Sequence, residues 1–182
     1  FEHIIMKILV TGGAGYIGSH MVKLLAGLGH EVLTLDNCST GHRDSVVAGE
    51  LVIGDYGNRE LVDDILGAFR PNVVMHFGGL SQTNESIQNP QKYYETNVVK
   101  SLTFIDSLIN SGIKYFIYSS TAAVYGDNKQ RTIAENSPLY PCSPYGKSKA
   151  IVEMILDDYR CASKLFSVTL RYFNAAGADI DG

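Results

Sequence analysis

The sequence predicts a doubly wound α/β fold, a parallel sheet with helices on both faces. Three observations carry the prediction. Apolar runs of strand length alternate with segments of helical periodicity along the chain. One run, residues 73–77, is almost continuously apolar, as a strand buried on both faces requires. The first strand and helix are joined by TGGAGYIG at residues 11–18, a glycine turn that aims unpaired N–H groups and the positive end of a helix dipole at an anion.

Taken in order, the apolar run at residues 4–10, interrupted by Lys7, reads as the first strand. In the turn, Gly12 suits a tight bend, Gly15 a close backbone approach to a pyrophosphate, and Gly18 the packing of helix against strand. The helix that follows places Ile17, Met21, Val22, Leu24, Leu25 and Leu28 at helical spacing. Residues 31–35 form a second strand ending at Asp36, about twenty residues past the glycines, where an acidic residue accepts from a ribose 2′-hydroxyl. A carboxylate there repels a 2′-phosphate, so NAD is favoured over NADP. Arg43 nearby keeps NADP open, and a turn-forming role with Asn37 and Ser39 is the alternative for Asp36.

Residues 51–53 form a short third strand, and Asp55 after it either accepts from an adenine amino group or caps the next helix. That helix, residues 58–69, carries Leu61, Ile65, Leu66 and Phe69 on one side and stops before Pro71. His76, inside the fourth strand, reads as structural. Gly78 and Gly79 at that strand's carboxyl end let a ligand pass close to the backbone, and residues 80–85 read as a loop. A helix over residues 91–110 turns Val98, Leu102, Ile105, Leu108 and Ile109 inward, with Gly112 as its stop. Asn97 within it either faces solvent or bonds something between strands, because asparagine is mildly unfavourable mid-helix. Residues 114–119 form the fifth strand, and the hydroxyls of Ser119, Ser120 and Thr121 follow at its ligand-facing end. Residues 127–144 are irregular and read as a surface loop. A helix opens at Ser143–Pro144 and runs to about residue 161, and residues 167–172 are the last clear strand.

The bulk properties narrow the function. The chain has 182 residues, 45% hydrophobic and 19% charged, the composition of one soluble globular domain. A net charge of −4 argues against nucleic acid as a partner, since phosphate contacts need a basic face. The three cysteines are widely spaced with no C-x-x-C pair, which points away from disulfides and zinc and toward a reducing cytoplasm. No apolar run reaches membrane length. Residues 1–5 precede Met6, lack the features of a signal peptide, and are set aside as an extension upstream of the domain at 6–182.

Tyr145 and Lys149 stand four apart at the start of a helix and so share one face. A tyrosine at its ordinary pKa of about 10 is a poor base at neutral pH. An ammonium nearby, with a nicotinamide cation, favours the phenolate and lowers that pKa. Thr121, arriving from the neighbouring strand end, would hydrogen-bond the same substrate hydroxyl. The three form a proton-transfer site beside a hydride acceptor.

With these residues in place, the chain resembles the extended short-chain dehydrogenase/reductases. The resemblance rests on TGGAGYIG, on DNCSTGH (residues 36–42), and on the pairs Gly54–Asp55 and Glu85–Ser86. It continues through HFGGL (76–80), YYETN (93–97), SSTAAVYG (119–126), SPYGKSK (143–149) and LRYFNAAGA (170–178). Within that family, DNCSTGH and RYFNAAGA are most similar to the UDP-glucose 4-epimerases. The resemblance implies tightly held NAD and a redox-neutral inversion at C4 of a UDP-hexose through a 4-keto sugar. It makes Tyr145 the base for the C4 hydroxyl and Lys149 the holder of the nicotinamide ribose that depresses the tyrosine pKa. Thr121 takes the third place of the triad. It assigns Tyr16, Ile17, Asn37, Asp55 (to adenine), Phe77, Gly78, Asn97 and Tyr172 to the cofactor, and Asn174 to the substrate.

Some relatives carry lysine in the loop after the HF-x-x-L stretch, where this chain has Ser81, which bears on one possible diphosphate contact and not on the class. Family members also run on past the position of Gly182, into a region that supplies most uridine and phosphate contacts. The expectation is therefore an NAD-binding portion that alone holds NAD weakly and turns over UDP-sugar poorly. A dehydratase or decarboxylase needs an acidic residue just after the triad threonine, where Ala122 and Ala123 stand. Epimerases of UDP-N-acetylglucosamine, UDP-glucuronate or UDP-arabinose remain alternatives, as does a non-catalytic NAD-binding sensor. Relatives pair through the helices at residues 91–110 and 145–161, which implies a homodimer.

Overall fold

A computed structural model describes residues 4–127 and 132–180. Residues 1–3 of the expected upstream extension, residues 128–131 of the expected surface loop, and residues 181–182 lie outside the described residues. The strands are β1 (Lys7–Thr11), β2 (Glu31–Asp36), β3 (Glu50–Ile53), β4 (Val73–His76), β5 (Tyr115–Thr121) and β6 (Phe166–Tyr172). The helices are α1 (Tyr16–Gly27), α2 (Arg59–Phe69), α3 (Thr83–Gln88), α4 (Pro90–Tyr94), α5 (Lys100–Asn110) and α6 (Pro144–Ala162). All six strands are parallel, in the order β3-β2-β1-β4-β5-β6. This is the dinucleotide-binding order, in which ligands sit beyond the carboxyl ends of the strands where the winding reverses.

The two-residue alternation of β1 divides the core. Ile8 and Val10 pack with Val22 of α1 and with Val32 and Met75 on one face. Leu9 points to the other, where Val62 and Ile65 of α2, Phe104 and Leu108 of α5, and Val152 and Leu156 of α6 close over Phe116 and Tyr118 of β5. Burial on both faces is why the run at β4 is almost continuously apolar.

The structure departs from the sequence expectations at four places. Asn58, not Asp55, caps α2, its side chain accepting from the Leu61 N–H at 3.3 Å. Residues 83–88 form α3, which takes up the second half of the loop expected over residues 80–85. Strand β5 continues to Thr121, because Ser120 and Thr121 pair in register with Arg171 and Tyr172 of β6. The helix expected from residue 91 begins at Pro90 and carries a π-helical stretch, Glu95–Val99, between α4 and α5. Such widened turns occur where an inserted residue serves a site; here the stretch contains Asn97.

Candidate active site

The carboxyl ends of the strands surround a cleft of about 460 Å³. Its floor is the glycine turn. Gly12 has φ +73°, and a Cβ there would lie 2.4 Å from the backbone nitrogen of Gly78, so β1 and β4 approach too closely for any side chain. Gly18 serves a different contact from the one expected. A Cβ on it would strike the carbonyl of Gly12 at 2.2 Å, so its lack of side chain folds the helix onto its own turn, not onto the strand. Gly15, the N-cap of α1, offers no capping side chain, and no acidic residue stands in the first turn. The helix end is thus left with its positive field facing the cleft beside Gly15, Tyr16, Ile17 and Gly18. A diphosphate fits this cradle.

Asp36 lines the same cleft. Its carboxylate accepts from the Ala14 N–H at 3.0 Å and the Cys38 N–H at 2.8 Å. The two readings of Asp36 therefore meet in one residue: it shapes the turn, and each oxygen keeps a further lone pair for a ribose hydroxyl. Asn37 donates to Asp55 at 3.3 Å and accepts from Ser39. Burial pushes the Asp55 carboxyl upward, but Lys100 at 2.6 Å and the Gly57 N–H at 2.8 Å outweigh it and hold the group below its ordinary value. Asp55 is thus an anion at the Asp36 end of the cleft. Phe77, Gly78 and Tyr172 also line it.

At the other end of the cleft stand Thr121, Tyr145 and Lys149. Ser143 caps α6, accepting from the Gly146 N–H at 3.1 Å, and Pro144 starts it, so Tyr145 and Lys149 come from a rigid first turn and a half. Burial raises the Tyr145 phenol above its usual value, and the hydrogen bond with Thr121 works in the opposite direction. None of the hydrogen bonds of Lys149 among the described residues goes to Tyr145. The ammonium of Lys149 donates instead to the Ser119 carbonyl at 2.9 Å and lies 4.9 Å from the centre of the Tyr118 ring. Lys149 is itself only 5% exposed, and burial brings its pKa down to about 8.

Two expected site residues do not line the cleft. Asn97 is buried, accepting from the Leu80 N–H at 2.8 Å and donating to the Leu80 carbonyl at 3.0 Å and to Ser148 at 3.1 Å. It fastens the loop after β4 to α6, because its amide is used up by those three partners. Asn174 is exposed beyond the end of β6, while its neighbours Phe173 and Ala175 reach the cleft. His76 is a core residue as expected: it is 1% exposed, bonded to Thr11 at 2.5 Å, and held well below its ordinary pKa, at about 3, by burial and then by Lys149.

The sequence reading missed several supports. Gly41 brings the loop after β2 against the glycine turn; a Cβ would lie 2.5 Å from the Ala14 backbone. Tyr93 packs edge-on against Tyr145 with ring centres 6.4 Å apart, its hydroxyl fixed by Gln82 and Glu85. Glu153 accepts from Ser120 and takes an ion pair from Arg171 at 2.6 Å. A lone glycine in DNCSTGH was a usable signal for the first. The others join residues from separate elements and leave no local pattern.

A family model described as the NAD dependent epimerase/dehydratase family matches residues 8–182. The chain belongs to that family. Membership agrees with the resemblance drawn from the motifs, and with NAD as the family's cofactor. A curated epimerase/dehydratase relative from Azospirillum brasilense, named UDP-glucose 4-epimerase, is 45% identical over 177 residues, covering 97% of this chain and 51% of the relative. The crystal structure of UDP-glucose 4-epimerase from Brucella ovis in complex with NAD superposes with a TM-score of 0.95 at 41% identity, over 97% of this chain and 55% of that one. The UDP-Glc/GlcNAc 4-epimerase from Campylobacter jejuni superposes with a TM-score of 0.91 at 37% identity, over 97% and 56%. The chain thus spans about half the length of the relatives it matches. Among the described residues, no helix is long and apolar enough to cross a membrane.

Proposed function

We propose that the protein is an NAD-dependent C4 epimerase of a UDP-hexose, interconverting UDP-glucose and UDP-galactose. The observation that carries the reading is the meeting of Thr121, Tyr145 and Lys149 in the same cleft as the glycine turn and Asp36. The cradle at Gly12 and Gly15 would take the diphosphate of NAD, and Asp36 the adenosine ribose. Asp55 would hold the adenine end and Lys149 the nicotinamide ribose. Bound there, NAD supplies a reversible hydride acceptor.

The chain's own residues supply the proton chemistry. Tyr145 takes the proton of the sugar's C4 hydroxyl at its phenolate oxygen and returns it after inversion. Thr121 orients that hydroxyl. Lys149 contributes a positive charge to the same cleft. No acidic side chain stands at residues 122 or 123 to move a proton at C5, which supports epimerisation over dehydration. The Campylobacter relative, a UDP-Glc/GlcNAc 4-epimerase, favours a second reading, in which the N-acetyl sugar is also accepted. A homodimer through α5 and α6 is part of the proposal, supported by exposed Val99, Leu102 and Met154 on those helices and the turn between α4 and α5.

Product analysis of the full-length protein with UDP-glucose, UDP-galactose and their N-acetyl forms tests the reading. Interconversion with no net consumption of added NAD is expected. A net 4-keto or dehydrated product, or no turnover of any of the four, overturns it.

A further inference from the structure

Lys149 is a buried cation that, among the described residues, forms no ion pair and feels the Glu153 carboxylate only at a distance. Among the described residues its partners are the Ser119 carbonyl and the face of Tyr118. Glu153, one turn along α6, is taken up by Arg171 and Ser120. The direct contacts that hold the charge are therefore a carbonyl dipole and a ring quadrupole, with Glu153 adding a more distant favourable field. Tyr118 itself is fixed. It is 1% exposed, stacked on His76 with ring centres 5.9 Å apart and planes at 14°, and stacked again on Phe116. Among the described residues its hydroxyl has no hydrogen-bond partner. A buried hydroxyl left unpaired costs stability, so the contacts of this side chain are all made by its ring.

We propose that Tyr118 is a positioning residue for Lys149, its ring face holding the ammonium in place beside Tyr145 and the ribose site. The role rests on the reading of Lys149 given above, but the contact stands apart from it. The remaining ionisable groups around the ammonium are His76 on β4, Tyr145 and Glu153 on α6, and Tyr56 beyond His76. Gly79 belongs to the same arrangement: a Cβ there would lie 3.6 Å from the Lys149 nitrogen and 2.9 Å from the Asn97 oxygen.

The experiment replaces Tyr118 in the full-length protein by phenylalanine and by phenylalanines of rising fluorine content, which keep the ring's shape and weaken its attraction for a cation. The titration of Lys149 is followed by NMR of its labelled side chain, without cofactor or substrate. From Tyr118→Phe to the pentafluorinated ring, the Lys149 pKa should fall by about one pH unit. Epimerase turnover, where present, should fall by roughly tenfold across the same series and be kept in Tyr118→Phe. A Lys149 titration that does not move with fluorination overturns the proposal. So does a Tyr118→Phe protein whose Lys149 titration is displaced as far as that of Tyr118→Leu, which would give the role to the hydroxyl. Absence of turnover in the unsubstituted protein would fall on the epimerase reading alone, since the titration still decides this one.

Discussion

Lys149 shows how one residue trades stability for chemistry. Burial lowers its pKa to about 8, so the folded protein disfavours the charge that the site uses. Between about pH 8 and the unfolded value of about 10.4, the unfolded chain binds more protons than the folded one. Stability attributable to Lys149 therefore rises with pH across that window, and the full cost applies below it. Lys149→Met should unfold at higher denaturant than the unsubstituted protein at pH 7, by on the order of 3 kcal/mol, with the gap closing by about pH 10.5. Urea titrations at several pH values measure it, and a gap that is constant with pH would contradict it. Tyr145 carries the complementary prediction. Its phenol, raised by burial, lies beside Thr121, so Tyr145→Phe removes the proposed proton acceptor while leaving the ring packed on Tyr93. Turnover in the full-length protein should fall roughly a hundred- to ten-thousand-fold with little change in thermal midpoint. Unchanged turnover would remove Tyr145 as the base.

At the scale of elements, the site depends on how α6 is locked to the end of the sheet. Arg171 on β6 pairs with Glu153 on α6 at 2.6 Å, donates to the Tyr125 hydroxyl at 2.8 Å, and reaches the Glu135 carbonyl at 2.9 Å. Glu153 is buried, so removing it leaves a guanidinium without its anion. Glu153→Ala should destabilise the fold by about 3–5 kcal/mol, and the pair Glu153→Leu with Arg171→Met should recover much of that loss. Denaturant midpoints of the single and double variants decide it. This network also marks where the sequence stopped being legible. The strands, the glycine turn, Asp36 and the Tyr145–Lys149 face follow local periodicity and spacing, and could be read directly. Glu153 and Arg171 stand 18 residues apart on different elements, and only the fold joins them. The extension of β5 to Thr121 likewise comes from pairing with β6. Asn97 read as an oddity in a helix because the loop it fastens, at Leu80, is invisible to helical periodicity.

At the scale of the whole molecule, the described chain builds the walls of a cofactor cleft and one tie across its mouth. The segment after β6 returns over α1, where the Tyr16 hydroxyl donates to the Gly177 carbonyl at 2.5 Å and Lys23 pairs with Asp179 at 2.6 Å. Tyr16 and Ala175 line the cleft, so this tie lies beside the glycine turn that would carry the diphosphate. Tyr16 is half exposed and Lys23 more than a third, and exposed contacts of this kind contribute little individually. The tie alone gives a cofactor little cover, and the relatives that the chain matches are about twice as long as this chain. The 182-residue chain should bind NAD at least about tenfold more weakly than a protein of its relatives' length, a loss of about 1.4 kcal/mol or more. Calorimetric titration of NAD into both measures the difference. Equal affinities would mean that the six strand ends and the tie at Tyr16 already make every contact that matters to the cofactor, and would leave the rest of such a protein to the sugar alone.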